Sequence, residues 1–108
     1  MDDLEKREKA EEAKFAKDAE FRFKAEARRN KLLGLWAAEL MGLSAEEADK
    51  YAIEVIKSDF EEAGDEDVFR KIRGDFDAKK IEQSDHQIRR TMEELMAKAV
   101  KQLQNATN

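Results

Sequence analysis

Residues 23–42, FKAEARRNKLLGLWAAELMG, hold the only Trp of the chain and two of its four Gly. Within them Leu33, Trp36, Ala37, Leu40 and Met41 recur along one side of a helix of 3.6 residues per turn. Gly42 follows, where a helix would end in a left-handed residue. The residues ahead of this stretch read differently. Residues 1–20 carry only Leu4 and Phe15 from the set Leu, Ile, Val and Phe, and are otherwise dominated by Ala, Glu, Lys and Asp. All but Asp are good helix formers, and Gly34 is the only breaker between residues 2 and 41. A thin line of Phe15, Ala19, Phe23 and Ala27 links the two parts at i, i+4 spacing. The pattern predicts one long helix whose first twenty residues have no apolar face of their own.

Downstream the punctuation stays helical. Ser44 with Glu47 forms a capping box that opens a helix over residues 45–63, stopped at Gly64. Asp65 is placed to cap a third helix, acidic in its first turn and weakened near its end by Gly74. Ser84 with Gln87 is a second capping box, starting a helix that runs to about Gln104. Ile53, Ile56 and Phe60, widened by Ala52 and Val55, mark one buried face; Phe69, Ile72 and Phe76 mark another. Ile88, Met92, Leu95, Met96, Ala99, Val100 and Leu103 mark the third. No stretch alternates long enough for a strand. The expectation is an all-α four-helix bundle over residues 21–108, joined by short connections, with residues 1–20 as a projecting, partly disordered arm.

Composition excludes several classes. With 108 residues the chain is one domain at most, and its charged fraction of 44% lies far above the ordinary quarter. There is no Cys, hence no disulfide frame or zinc-thiolate site. A formal net charge of −5 argues against a general nucleic-acid binder. No apolar run is long enough to cross a bilayer, and the acidic opening MDDLEKREKAEE lacks the apolar region of a signal peptide. No Walker-type or dinucleotide-binding glycine pattern occurs. The pairs Asp65/Asp67 and Asp75/Asp77 lack the Gly and Glu of a calcium loop and read as helix-capping acids. His86, the only His, reads as a solvent-facing residue, and Ser58 as a surface one. Trp36, Met92 and Met96 read as core. No catalytic residue and no metal site is expected.

Charge reverses along the first helix. Residues 1–20 carry a net −3, whereas residues 21–31, with Arg22, Lys24, Arg28, Arg29 and Lys31 against Glu26, carry +4. The plain reading is a solvated face with pairs such as Glu20–Lys24; the sharper one is a docking surface. A membrane-surface helix fits worst, because residues 2–12 are acidic. From the residues alone the chain is a helical bundle with a charged arm, a protein-binding module.

The strings FKAEARRNKLLGLWAAELMG, YAIEVIKSDFEEAGDEDV and IRRTMEEL resemble the zeta-subunit family of alphaproteobacterial F-type ATP synthases, over about Arg7 to Leu103. The sequence departs from that pattern at Lys17, where His is frequent, and over residues 77–84. The resemblance implies an inhibitor of ATP hydrolysis by the catalytic head of the synthase, made of alpha, beta and gamma subunits. It implies a mobile N-terminal segment that becomes helical on entering a catalytic interface. On this chain that segment is residues 1–20, with Leu4, Arg7, Lys9, Lys14, Phe15 and Lys17 as its partner-binding side chains. Arg22, Lys24, Arg28, Arg29 and Lys31 are candidates for docking or for a weak ADP or ATP contact, although no phosphate loop accompanies them. The free protein is then expected to be a monomer in the cytoplasm, peripheral on the membrane-bound synthase and without direct membrane insertion, nucleic-acid partner or required cofactor. The alternative is a helical adaptor or a weak nucleotide-sensing regulator of another complex.

Overall fold

The computed structural model describes the backbone of residues 2–59 and 65–106, and the side chains of 19–59 and 65–105. Four helices follow in order: α1 Asp2–Leu40, α2 Ala45–Ser58, α3 Glu66–Ala78 and α4 Asp85–Ala106. There is no strand among the described residues. The molecule is 64 Å along its longest axis and 26 by 21 Å across, as expected when one long helix outruns a short bundle.

The bundle is built on the second half of α1. Leu33, Ala37 and Ala38 are fully buried, and α2 and α4 pack along the two flanks of α1. Gly34 explains how closely α2 can come. A Cβ at that position would stand 2.6 Å from Ala52 Cα, a backbone atom that no side-chain rotation can clear. The residue that reads as a helix breaker is thus the contact that lets two backbones meet. Tyr51, Ala52 and Val55 bury the facing side of α2; Val68, Phe69, Ile72 and Phe76 bury α3; Ile88, Met92 and Ala99 bury α4. Each fully buried aliphatic or aromatic side chain here is worth about 1.5–3 kcal/mol over its exposed state. Trp36 sits at the margin of this core rather than inside it. It is half-buried and meets Phe76 edge-on, with ring centroids 5.6 Å apart.

Two helices end in the same way. After α1, the Leu43 N–H donates to the Ala38 carbonyl and the Gly42 N–H to that of Glu39, with Gly42 at φ +73°. After α3, the Ile81 N–H donates to Phe76 and the Lys80 N–H to Asp77, with Lys80 at φ +58°. Both are Schellman closures, and Leu43 and Ile81 fold back onto the core after each. Only the first uses Gly. The left-handed conformation costs an L-residue roughly 1–2 kcal/mol, so the second closure is held at the expense of local strain.

Helix starts follow the sequence where a hydroxyl is available. Ser44 Oγ accepts the Glu47 N–H at 3.2 Å, and Ser84 Oγ the Gln87 N–H at 3.1 Å. Four readings change. Asp65 makes no side-chain cap to α3, because its carboxylate is bound to Arg29 instead. The second helix ends at Ser58 rather than 63, with residues 60–64 outside the described residues. Its buried side is turned toward Tyr51, Val55 and Ser58, which leaves Ile53 51% exposed. Ser58 is therefore not a surface residue: it is buried, and its hydroxyl donates to the Val55 carbonyl at 2.6 Å. Phe60, read as part of that face, lies outside the described residues.

Two substitutions check these contacts by thermal or urea unfolding. Gly34→Ala destabilises the bundle by about 2 kcal/mol, although Ala is the better helix former, because overpacking against a backbone outweighs propensity. Lys80→Gly stabilises it by about 1 kcal/mol by relieving the left-handed residue.

Candidate functional site

The region with functional potential is the root of the arm, where α1 leaves the bundle. Among the described side chains, which begin at residue 19, the first buried residue of α1 is Ala25; before it Phe21 is half-buried, while Ala19, Arg22 and Phe23 are exposed, Phe23 by 58%. The Phe15, Ala19, Phe23, Ala27 line is therefore not a backward extension of the core over its described members. Leu4, Arg7, Lys9, Lys14, Phe15 and Lys17 have side chains outside the described residues; their backbone continues α1 without interruption from Asp2.

The five cations downstream divide between different faces of α1. Arg29 is 2% exposed. Its guanidinium donates through NH2 to Asp65 Oδ1 at 2.8 Å and through Nε to Asn30 Oδ1 at 2.7 Å. Asn30 in turn donates through Nδ2 to Asp59 Oδ2 at 3.1 Å. This pair of α1 residues holds the last residue of the α2 end and the first of the α3 start, so both ends of the connection are pinned to the root. A buried guanidinium survives because it is paired and hydrogen-bonded; breaking such a pair leaves an uncompensated charge. Lys24, Arg28 and Lys31 fall at i, i+4, i+7 on a different face. Lys24 pairs with Glu20 at 3.4 Å, and Arg28 donates to Gln102 Oε1 of α4 at 3.4 Å. Lys31 and Arg22 are exposed. The structure thus separates a set that sequence proximity alone had grouped.

A groove of about 320 Å³ lies beside Arg29, lined also by Asp65, Arg89, Met92, Glu93 and Met96. Arg89 stacks 4.0 Å above the Phe69 ring and pairs with Glu66 at 3.1 Å. A second, more apolar groove of about 330 Å³ runs from Met41 and Leu43 past Tyr51 to Ala78. Its floor contains a polar knot. The Tyr51 hydroxyl donates to Asp75 Oδ2 at 2.6 Å, and Lys71 Nζ stands 3.2 Å from Asp75, 3.3 Å from Glu54 and 5.1 Å above the Tyr51 ring. Burial, then the hydrogen bond and charge of Asp75, push the Tyr51 phenol well above its usual range. Arg73 is held charged by hydrogen bonds to Asp77 and Asp85, the second of which ties α3 to the start of α4. Asp67, in the first turn of α3, pairs with Arg70 while its Oδ2 is buried without a hydrogen-bond partner. His86 is exposed. Among the described residues no group of His, Cys, Asp and Glu is arranged to hold a metal ion. None of their helices is long and apolar enough to cross a membrane.

Sequence reasoning anticipated one long first helix and grouped Arg22, Lys24, Arg28, Arg29 and Lys31 on it. It missed Asn30, Asp59 and Asp65 as the partners that bury Arg29. The only available signal was the run Arg29-Asn30 on the core side of a helix, where two polar residues need partners.

Comparison with known proteins agrees with this architecture. The family model described as ATPase inhibitor subunit zeta matches residues 1–102. A structure determined in solution by NMR is 55% identical, with a TM-score of 0.70, over 79% of this chain and 96% of the other. No curated protein sequence matches.

Tyr51 is the only Tyr, so its titration can be read without interference. A phenol whose folded value is raised keeps its proton in the native state after the unfolded chain has lost it. Its contribution is fully present below the unfolded value of about 10 and is lost as pH rises beyond it. Ultraviolet titration will show no phenolate in the native protein near that pH, and melting at rising alkaline pH will fall more steeply for the wild type than for Tyr51→Phe.

Proposed function

The chain belongs to the ATPase inhibitor zeta-subunit family, and from that premise we propose that it inhibits ATP hydrolysis by placing the first turns of α1 into a catalytic interface of an F-type ATP synthase head. The observation that supports this reading is the length of α1 ahead of Ala25, the first buried residue among its described side chains, back to Asp2. A helix of that length reaches about 35 Å. Its composition, rich in Ala and in charges of both signs, makes it slim and able to pair with either sign along a crevice. The partner surface consists of alpha and beta subunits with the gamma shaft behind them. The action is steric: a wedge in one interface stops the conformational cycle, and no bond is made or broken by the inhibitor. The protein works in the cytoplasm as a monomer that docks on the membrane-bound enzyme.

Within the wedge, Leu4 and Phe15 are the apolar anchors and Arg7, Lys9, Lys14 and Lys17 the cationic contacts. Interface energy concentrates on buried aromatics, with costs of about 2 kcal/mol or more on truncation. Phe15 therefore carries more of the affinity than any lysine at the rim.

Two measurements decide this. A chain lacking residues 1–20 keeps its helical melting transition, since the core found among the described residues starts at Ala25, but loses inhibition of the ATPase activity of the cognate head. Phe15→Ala weakens inhibition by more than about tenfold, the equivalent of ~1.4 kcal/mol, with little change in melting temperature. Full inhibition by the truncated chain refutes the wedge.

A further inference from the structure

The distribution of ion pairs is uneven along the molecule. Cations that face α3 are paired: Arg29 with Asp65, Lys71 with Glu54 and Asp75, Arg73 with Asp77 and Asp85, and Arg89 with Glu66. At the root of the arm the situation reverses. Among the described residues Arg22, Arg28 and Lys31 of α1, and Lys98 and Lys101 of α4, form no ion pair, in a chain that carries 26 acidic residues against 21 Lys and Arg. The remaining described cations in that state are Lys57, at the end of α2, and Lys79 and Lys80, in the turn after α3. The carboxylates nearest the root are otherwise engaged. Glu20 is on Lys24, Asp65 on Arg29 and Asp59 on Asn30, and Glu26 is half-buried.

Geometry gathers these cations onto one surface. The Arg28–Gln102 hydrogen bond sets the α1 and α4 segments side by side. Lys24 and Lys31 lie one turn to either side of Arg28 on its face, and Lys98 lies one turn before Gln102 on the face of Gln102. Arg29 and Asn30, by contrast, meet the α2–α3 connection on another side of α1. A ridge of Lys24, Arg28, Lys31, Lys98 and Lys101 therefore borders the point at which the arm departs. Lys24 is met by Glu20, but the rest of the ridge has no ion-pair partner among the described residues, in a chain with more carboxylates than cations.

We propose that this ridge is a second contact of the inhibitor: it docks against an acidic protein surface at the outer rim of the crevice that receives the arm. The inference rests on the wedge reading and adds to it a partner chemistry for the bundle. Its role is steering. Rim charges chiefly set the association rate and its salt dependence, while the buried anchor sets the dissociation rate. The acidic overall charge of the chain disfavours the other polyanions, nucleic acid and anionic lipid.

The test uses the full chain and the isolated catalytic head, following the onset of inhibition during ATP hydrolysis over a range of salt. In Lys31→Glu with Lys98→Glu, onset slows by about tenfold at low salt, the salt dependence flattens, and complete inhibition is still reached at saturation. The neutral pair Lys31→Gln with Lys98→Gln gives an intermediate slowing. Matched reversals away from the root, Lys50→Glu with Lys79→Glu, leave the rate within about twofold of the wild type. Circular dichroism confirms that each variant is folded. Wild-type rate and salt dependence in the ridge variant overturn the ridge while leaving the wedge standing. A wild-type chain that never inhibits overturns both. Sedimentation with phosphatidylglycerol-rich vesicles covers the remaining case: vesicle binding abolished by the ridge variant, with unchanged onset on the head, assigns the surface to lipid and refutes the proposal.

Discussion

The backbone contact between Gly34 and Ala52 is the constraint on which the bundle depends. With no room for even a methyl group between them, α2 is drawn against α1, and Ala37 and Ala38, one turn on, are fully buried. Leu33 and Val55 are then enclosed, and α3 and α4 complete the core with Ile72, Phe76, Ile88 and Met92. Because α1 runs on without interruption from Asp2 to Leu40, the element that organises the core is also the one that extends beyond it.

Electrostatics divides the molecule into two parts with different duties. Around α3 the charges are structural. This helix has only 13 residues, and its contacts with each neighbour are reinforced by a polar bridge: Asp65 to α1, Tyr51–Asp75 and Lys71–Glu54 to α2, and Arg73–Asp85 and Glu66–Arg89 to α4. Most of these bridges are partly wet, so each contributes modestly to stability; together they add to the apolar face of Val68, Phe69, Ile72 and Phe76 that seats the helix. At the root of the arm Arg22, Arg28 and Lys31 have no carboxylate partner among the described residues, and the field of such exposed charges extends outward over a Debye length of about 8–10 Å.

On the proposed reading, the arm is an inhibitory element built without an apolar face. A segment with no core of its own costs the free protein little in exposed hydrophobic surface, and it gains its partner only when a crevice supplies one. The Arg29–Asn30 junction solves the accompanying problem of placement. By holding Asp59 and Asp65 it fixes the bundle to α1 immediately after Ala25, so the position of the folded mass along the helix is defined to within a turn.

The sequence alone determined the helical class, the hydroxyl caps at Ser44 and Ser84, the terminator at Gly42, the core faces of α3 and α4, and the contrast between an apolar-poor start and a packed remainder. These are local properties: spacing, propensity and the φ preference of Gly act within a few residues, so they are legible along the chain. Only the tertiary structure decided which side of α2 faces inward, that Gly34 is a contact, that Lys80 closes a helix, and that Arg29 is buried while Arg28 one residue away is not. Apart from the closure at Lys80, which is local but uses a residue without the φ preference of Gly, each of those outcomes depends on a partner 18 or more residues distant or on the angle at which two helices cross. The pairing of Asp65 with Arg29, 36 residues apart, shows the principle most directly. Asp65 has the right chemistry to cap α3, but a buried guanidinium offers its carboxylate a stronger, charged hydrogen bond. No property of the local sequence records that competition.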